Sequence, residues 1–255
     1  MKGMVIPMEL DEVLDASILI GYHLLCNGAD VYRVEQSIDY ICDAYGVKEV
    51  HSFAIPSSIV VTISDGRVSL TKTKRILNRQ TNLNRVEKLT GLSRYICAAR
   101  PEYPVILNQI EEILSLPVWG LGWQYGAHFL AGSSFCLFFG GNFWDCLISG
   151  VIGAFIMFVT QGLQKLHANS FFINIICSFF AALMGGKISS FFPELFHADK
   201  IIIGGIMLLV PGLALANSMR DFIASDTMTG LSRMAESLFV AVGVAFGVAC
   251  AMFFL

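Results

Sequence analysis

Residues 201–219 read IIIGGIMLLVPGLALANSM, which is 19 residues without a charge, interrupted by the pair Pro211-Gly212. A helix needs about 20 apolar residues to cross the hydrocarbon core of a membrane, so this stretch is long enough to span one. Four further uncharged stretches of 19 residues or more share this half of the chain: 113–144, 146–164, 166–186 and 237–255. The sequence therefore predicts five spanning helices, near 119–139, 143–163, 169–186, 200–218 and 235–254. Glycines near the start of the stretch 113–144 make a re-entrant segment an alternative there.

Charged residues are concentrated in the other half of the chain. Of the 37 Lys, Arg, Asp and Glu residues, 26 lie in residues 1–117 and 11 in residues 118–255. The chain is 15% charged, against about 25% for an average soluble protein. This composition excludes a secreted, fibrous, disordered or wholly soluble protein, and the net charge of −3 gives no reason to expect a nucleic-acid partner. We expect a soluble domain at 1–117 and a transmembrane domain at 118–255.

The spacing of apolar residues predicts a small α+β fold for the soluble domain. Periods of three and four residues indicate helices over 9–27, 30–45, 78–97 and 105–116. Between the second and third helices the period changes to two, and Asp65-Gly66 is a strong hairpin signal. The predicted fold class is thus an α+β cytoplasmic domain followed by an all-α polytopic membrane bundle of about five transmembrane helices.

A basic segment indicates on which side of the membrane the soluble domain lies. Nine basic residues and only one acidic residue, Glu87, lie between Arg67 and Arg100. An excess of Lys and Arg is typical of cytoplasmic segments, although the same patch would also suit an anionic lipid surface. We expect the soluble domain inside the cell, with five spans placing the C-terminus outside.

The cysteines and histidines predict neither a cofactor nor a metal site. Seven cysteines are scattered without a CxxC pair, which is typical of reduced thiols packed as small apolar residues. His23 and Cys26 are one helical turn apart, but zinc normally takes three or four protein ligands. No Ser/His or Cys/His set shows a spacing typical of catalytic residues, so we do not expect an enzyme.

The Pro211-Gly212 pair marks a candidate transport site. Proline removes a backbone hydrogen bond within a helix, and unsatisfied backbone is tolerated at membrane depth only where protein or a cavity surrounds it. Broken helices in transporters commonly lie at the substrate site, and a purely structural kink is the alternative. Polar residues follow directly, among them Asn217, Arg220 and Asp221, and then Asp226. A guanidinium suits a substrate carboxylate and an aspartate suits an ammonium or a proton, whereas a cytoplasmic loop with helix caps explains the same residues without transport.

Three more ionisable residues lie near or inside predicted spans. Glu236 and Asp145 stand near the starts of the last and second spans, and an intramembrane acid is a functional hypothesis by default. Both can reach the interface, so capping or snorkelling explains them more simply. His128 in the first span suits a proton relay or one interhelical hydrogen bond.

Several short segments resemble motifs of the threonine/serine exporter family. They are CNGADVYRVE at 26–35, PSSIVVT at 56–62, TNLNRV at 81–86, LVPG at 209–212, ANSMRD at 216–221 and SDTMTG at 225–230. Their order and spacing carry the resemblance over nearly the whole chain. Members of this family occur either as one long chain with about ten spans or as a pair of separate proteins, one longer than the other. This chain is similar to the longer protein of that pair.

The resemblance implies a subunit of an inner-membrane exporter for small carboxylate-bearing metabolites. The substrates it implies are threonine- or serine-type amino acids, or succinate. Export would be driven by an ion gradient, most simply of protons, and would require a small multi-pass partner subunit in the same bilayer, with several copies of this chain as a further option. The expected path residues are Pro211, Gly212, Asn217, Arg220, Asp221, Asp226 and Glu236. The alternative is a membrane-anchored ligand sensor or scaffold without transport activity.

Overall fold

The computed structural model describes residues 8–77, 79–117, 119–166 and 168–255. The chain divides into two compact units, unit 1 at Met1–Leu116 and unit 2 at Pro117–Leu255. Each unit is built around its own buried residues.

Unit 1 consists of four helices and one antiparallel sheet. Its elements are α1 (Leu10–Cys26), α2 (Val31–Ala44), β1 (Glu49–Ile55), β2 (Ser58–Ser64), β3 (Ser69–Arg75), α3 (Leu83–Ala99) and α4 (Tyr103–Ser115). The strand order is β1-β2-β3, with Phe53 opposite Val60 and Val60 opposite Thr73. Successive side chains of a strand point to opposite faces, so β2 buries Ile59, Val61 and Ile63 on a single face.

Glycine sets the end of α1 and its approach to α2. Gly28 has φ +93°, a left-handed conformation that favours glycine after a helix C-cap. Within α1, a Cβ on Gly21 would lie 2.7 Å from Cδ1 of Ile38, so the absent side chain lets the two helices approach closely. α1 therefore ends at the position that Gly28 indicated. α1 and α2 pack on the faces that the apolar spacing indicated.

Helices are the only regular secondary structure among the described residues of unit 2. Its helices are α5 (Leu121–Phe138), α6 (Phe143–Lys165), α7 (Ser170–Phe191), α8 (Ala198–Ile206), α9 (Gly212–Ile223) and α10 (Thr227–Met252). Among the described residues, three helices are long and apolar enough to cross a membrane: α6, α7 and α10.

The predicted fold class, a cytoplasmic α+β domain followed by about five transmembrane helices, is therefore wrong. The described chain has ten helices, a single three-stranded sheet and three candidate spans. The expected span at 200–218 is divided between α8, with 9 residues, and α9, with 12 residues. At about 1.5 Å per residue these helices are about 14 and 18 Å long, shorter than a hydrocarbon core of about 30 Å. The expected span at 119–139 became α5, whose first half carries the polar side chains of Gln124 and His128.

Glycines bring the helices of unit 2 into close contact. A Cβ on Gly132 of α5 would lie 2.7 Å from the carbonyl oxygen of Ser149, and one on Gly153 of α6 would lie 2.5 Å from that of His128. Both neighbours are backbone atoms, which cannot move aside as a flexible side chain can. The absence of side chains at these two glycines thus permits the close approach of α5 and α6.

Candidate functional site

A non-helical stretch of backbone separates α8 from α9. α8 ends at Ile206, and α9 begins at Gly212 with Pro211 as its N-cap, at φ −81° and ψ 54°. Proline has no backbone N–H to continue a helix, so the helix is interrupted at the Pro211-Gly212 pair, as the sequence predicted. The carbonyl of Pro211 accepts a hydrogen bond from the backbone N–H of Leu215 at 3.0 Å, which starts the new helix.

A cavity of about 440 Å³ lies beside this break. Its lining is formed by Ile206, Val210 and Pro211 from the break and by Ala241, Val244, Ala245, Val248 and Ala249 of α10. The volume falls within the range of about 300–1,000 Å³ found for small-molecule sites. These lining side chains are all apolar, so they offer neither a charge nor a hydrogen-bond partner.

Polar side chains are concentrated where α9 turns into α10. Asp226 is half-buried and caps α10, its Oδ1 accepting a hydrogen bond from the backbone N–H of Thr229 at 3.3 Å. The backbone N–H of Asp226 also donates to the carbonyl of Asp221 at 2.9 Å. Ser225, between the helices, has φ +65°, which gives the short connection its sharp turn. The observed contacts of Asp226 are therefore those of a helix cap, which is the simpler interpretation of this residue.

A buried ion pair joins α9 to α10. Nη1 of Arg233 lies 3.3 Å from Oδ2 of Asp221, and the two residues are 9% and 6% exposed. Removing charges from water costs several kcal/mol per ion, so burial of both partners requires their close attraction. Arg233 also belongs to a helix long and apolar enough to span a membrane, where buried charges are rare and mark substrate or ion pathways.

A buried hydroxyl lies one helical turn before this arginine. Thr229 is 0% exposed, and its Oγ1 has no hydrogen-bond partner among the described residues. The neighbouring hydroxyls differ, since Ser218 donates to the carbonyl of Leu215 at 2.8 Å and Ser237 to that of Arg233 at 2.8 Å. An unpaired buried hydroxyl costs about 1–3 kcal/mol, so Thr229 needs a specific explanation.

The residues expected from sequence are distributed along α9 and the start of α10. Arg220, Gly212 and Glu236 are exposed, while Asn217 and Pro211 are half-buried. Sequence reasoning did not identify Arg233, which lies two residues before the predicted last span at 235–254 but within α10 in the structure. The helical spacing of the polar and small residues 226, 229, 230, 233 and 237 on one face of α10 was the signal that could have identified it.

Asp145 and His128 have local structural partners. Asp145 is fully buried and forms a capping box with Asn142 at the start of α6, so the capping interpretation of Asp145 is confirmed. Its Oδ1 also accepts from the backbone N–H of His197 at 2.8 Å, and its Oδ2 lies 2.9 Å from Nδ1 of the same histidine. His128 Nδ1 lies 2.8 Å from the carbonyl of Gln124, within α5, so this contact is not the interhelical one considered above.

In unit 1, burial shifts the pKa values of His23 and Cys42. Burial, followed by the charges of Lys74 and Arg85, lowers the pKa of His23. Burial raises the pKa of Cys42 to about 11, so this thiol remains protonated and packs as an apolar residue. The described residues contain no group of three or more His, Cys, Asp or Glu side chains placed to hold a metal ion.

Comparison with known proteins yields one family and several distant relatives. Residues 15–255 match the family model described as a threonine/serine exporter. The chain is 25% identical over 248 residues to the "Threonine/serine exporter" of Corynebacterium glutamicum, an alignment covering 92% of this chain and 50% of that protein. It is 26% identical over 239 residues to the "Probable succinate transporter subunit YjjP" of Escherichia coli K12, covering 92% and 91% of the two chains.

A third relative is the "Probable threonine/serine exporter" of Mycobacterium tuberculosis, 21% identical over 253 residues, with 97% of this chain and 47% of that protein covered. The chain thus spans about half the length of the two exporters that it matches. No solved structure matches it.

Proposed function

Because this chain belongs to the threonine/serine exporter family, we propose that it is one subunit of an exporter for small carboxylate-bearing metabolites. The substrates proposed are threonine- or serine-type amino acids, or succinate, since relatives are named for each. The chain is a membrane protein, with three helices apolar and long enough to span a bilayer.

The observation that carries this proposal is the interrupted helix between Ile206 and Gly212, which lies beside a cavity and leads along α9 to a buried ion pair. Transporter sites are typically formed by discontinuous helices whose freed backbone groups face a cavity. A passive anchor or scaffold requires neither a broken helix nor a buried ion pair between two of its helices. This combination favours transport over the sensor or scaffold alternative.

We propose that the path runs along the break and over the α9–α10 junction. The residues proposed to line it are Pro211, Gly212, Asn217, Arg220, Asp221, Asp226 and Glu236. In this proposal the exposed Arg220 meets the substrate carboxylate at the open end of the path, where its guanidinium can form a bidentate contact. Asn217 then offers the substrate a hydrogen-bond partner, and the acidic residues of this path offer it negative charges.

A small multi-pass membrane subunit is proposed to complete the transporter. The support is the length relationship, because exporters about twice as long contain this chain's equivalent in about half of their sequence. The relative of equal length is itself named a subunit.

Cells expressing this chain alone should show no efflux above the empty-vector control. Co-expression with a small family subunit from the same organism should produce efflux of threonine, serine or succinate, and a protonophore should abolish it if protons drive transport. Full transport by the purified chain alone in liposomes would overturn the partner requirement.

We place unit 1 in the cytoplasm, on the support of the nine basic residues between Arg67 and Arg100. The β2–β3 connection at Asp65–Gly66 is an exposed hairpin tip, and such tips tolerate insertions. A reporter active only in the cytoplasm should therefore be active when inserted there, and one active only outside should be silent. The opposite pair of results would place unit 1 outside.

A further inference from the structure

α10 contributes an open, apolar wall to the cavity beside the break. Three of the lining residues are alanines spaced by four positions, Ala241, Ala245 and Ala249, so their side chains share one face of the helix, the alanine face. All three are exposed, so this face is open in the chain alone. α10 is a candidate span and residues 237–255 carry no charge, which places the alanine face at the depth of the hydrocarbon core.

A second face of α10 shows how this chain uses small residues in its own packing. A Cβ on Gly247 would overlap the carbonyl oxygen of Ile175 in α7. One on Gly243 would lie 3.2 Å from the ring of Phe171, which also belongs to α7. The glycine face of α10 is therefore occupied by a neighbouring helix in close contact. The alanine face is also small enough for the close approach of a helix, but it is exposed.

The break between Ile206 and Gly212 borders the same cavity. Val210, within the break, is 42% exposed. Non-helical backbone at membrane depth is tolerated only where protein or a water-filled cavity surrounds it, because lipid offers no hydrogen-bond partner. The lining side chains are apolar and offer water no polar partners to hold it in place. A further protein segment is therefore the covering that the break requires.

We infer that a spanning helix of the small partner subunit packs against the alanine face of α10 and closes the cavity beside the break. This inference rests on the proposed function, which requires that subunit. Exporters about twice as long as this chain carry about an equal length of further sequence in each copy. A second copy of this chain would not account for that extra sequence, and a lipid acyl chain offers no hydrogen bond to the exposed backbone.

The lining of the cavity also determines the character of that helix. Because the lining offers neither a charge nor a hydrogen-bond partner, the helix of the partner presents apolar side chains to the alanine face. Small residues on α10 let the two backbones approach closely, as the glycine face does for α7. With the cavity closed in this way, the backbone of the break faces protein instead of lipid.

The first test fills the cavity with a side chain of this chain. Ala245→Leu adds a large side chain at the middle of the alanine face, and extra volume in a packed contact is unfavourable. The affinity between the two purified full-length subunits in detergent should fall by about 5- to 100-fold. Ala235→Leu makes the same change at an exposed position of α10 outside the cavity lining and should leave the affinity unchanged. Because Ala245 and Ala235 are both exposed, both variants should insert at wild-type abundance.

A photo-crosslink identifies the occupant directly. p-Benzoylphenylalanine is placed at position 210, at the edge of the cavity, in cells co-expressing the tagged chain and the small family subunit from the same organism. Irradiation should give an adduct of this chain with the small subunit, and Ala245→Leu should reduce the yield of that adduct. An adduct of two copies of this chain, adducts with lipid alone, or wild-type affinity in Ala245→Leu would overturn the inference.

The proposed function and this inference fail in different ways. If the two subunits bind each other and export substrate while position 210 gives no adduct with the small subunit, the transport proposal stands and this inference fails. If the subunits neither bind each other nor export substrate together, both fail.

Discussion

Arg233→Gln is expected to destabilise the protein by about 3–5 kcal/mol, the usual cost of removing one partner from a buried pair. The substitution leaves the carboxylate of Asp221 buried opposite a neutral amide, with both residues less than 10% exposed in the intact protein. In a chain of this length each kcal/mol corresponds to about 2–4 °C in melting temperature. Thermal unfolding of the detergent-purified chain should therefore begin many degrees lower.

A matched pair of variants separates the ion pair from a general effect of charge removal. Lys187→Gln removes an exposed positive charge from α7 and should change the free energy of unfolding by less than about 0.5 kcal/mol. Combining Arg233→Gln with Asp221→Asn removes both charges and should recover part of the loss, because no buried charge is then left opposite a neutral partner. A single Arg233→Gln variant as stable as Lys187→Gln would show that the pair does not join α9 to α10.

Local signals in the sequence were sufficient wherever a single element decides the outcome. Gly28 ends α1 in a left-handed conformation, the Asp65-Gly66 pair connects β2 to β3, and Pro211 interrupts the helix that the apolar stretch would otherwise form. Each of these outcomes follows from the backbone preferences of one or two residues.

The number of spans could not be obtained from uncharged length. A stretch of 19 residues predicts a span only if it forms one helix, and Pro211 divides residues 201–219 into two short ones. α5 illustrates the other limit, since its 18 residues carry no Asp, Glu, Lys or Arg, but side chains such as Gln124 and His128 leave it less apolar than a candidate span. Counting charges therefore overestimated the spans by including uncharged but polar or broken segments.

Contacts between distant residues were beyond sequence reasoning for a different reason. His197 meets Asp145 across 52 residues, and Arg233 meets Asp221 across a helical junction whose turn depends on Ser225. The spacing of apolar residues shows which face of a helix is buried, but not which other element that face contacts. The sequence therefore pointed to Arg220, which is exposed, and not to Arg233, which is buried.

Pro211→Ala is expected to slow export by about 10- to 100-fold. Proline in a helix interior costs about 3 kcal/mol, so alanine removes the penalty that keeps α8 and α9 apart and favours one continuous helix. A shift of that size changes a two-state population by about 100-fold, since each 1.4 kcal/mol is a factor of ten. If the broken form carries the substrate, the variant spends most of its time in an inactive form while remaining folded and inserted.

Pro193→Ala is the matched control, because Pro193 is exposed in the connection after α7 and outside any helix. It should export at the wild-type rate. Both variants should be present in the membrane at wild-type abundance, so a lower rate cannot reflect a loss of protein.

Initial rates of efflux, normalised to membrane-inserted protein, are to be measured in cells co-expressing the chain and its small partner. Our proposal is that substrate passes the break at Pro211-Gly212. It predicts wild-type rates for Pro193→Ala and rates at least about tenfold lower for Pro211→Ala. Equal rates for Pro211→Ala and the wild-type protein would contradict the claim, and the path would then have to be sought away from the α8–α9 break.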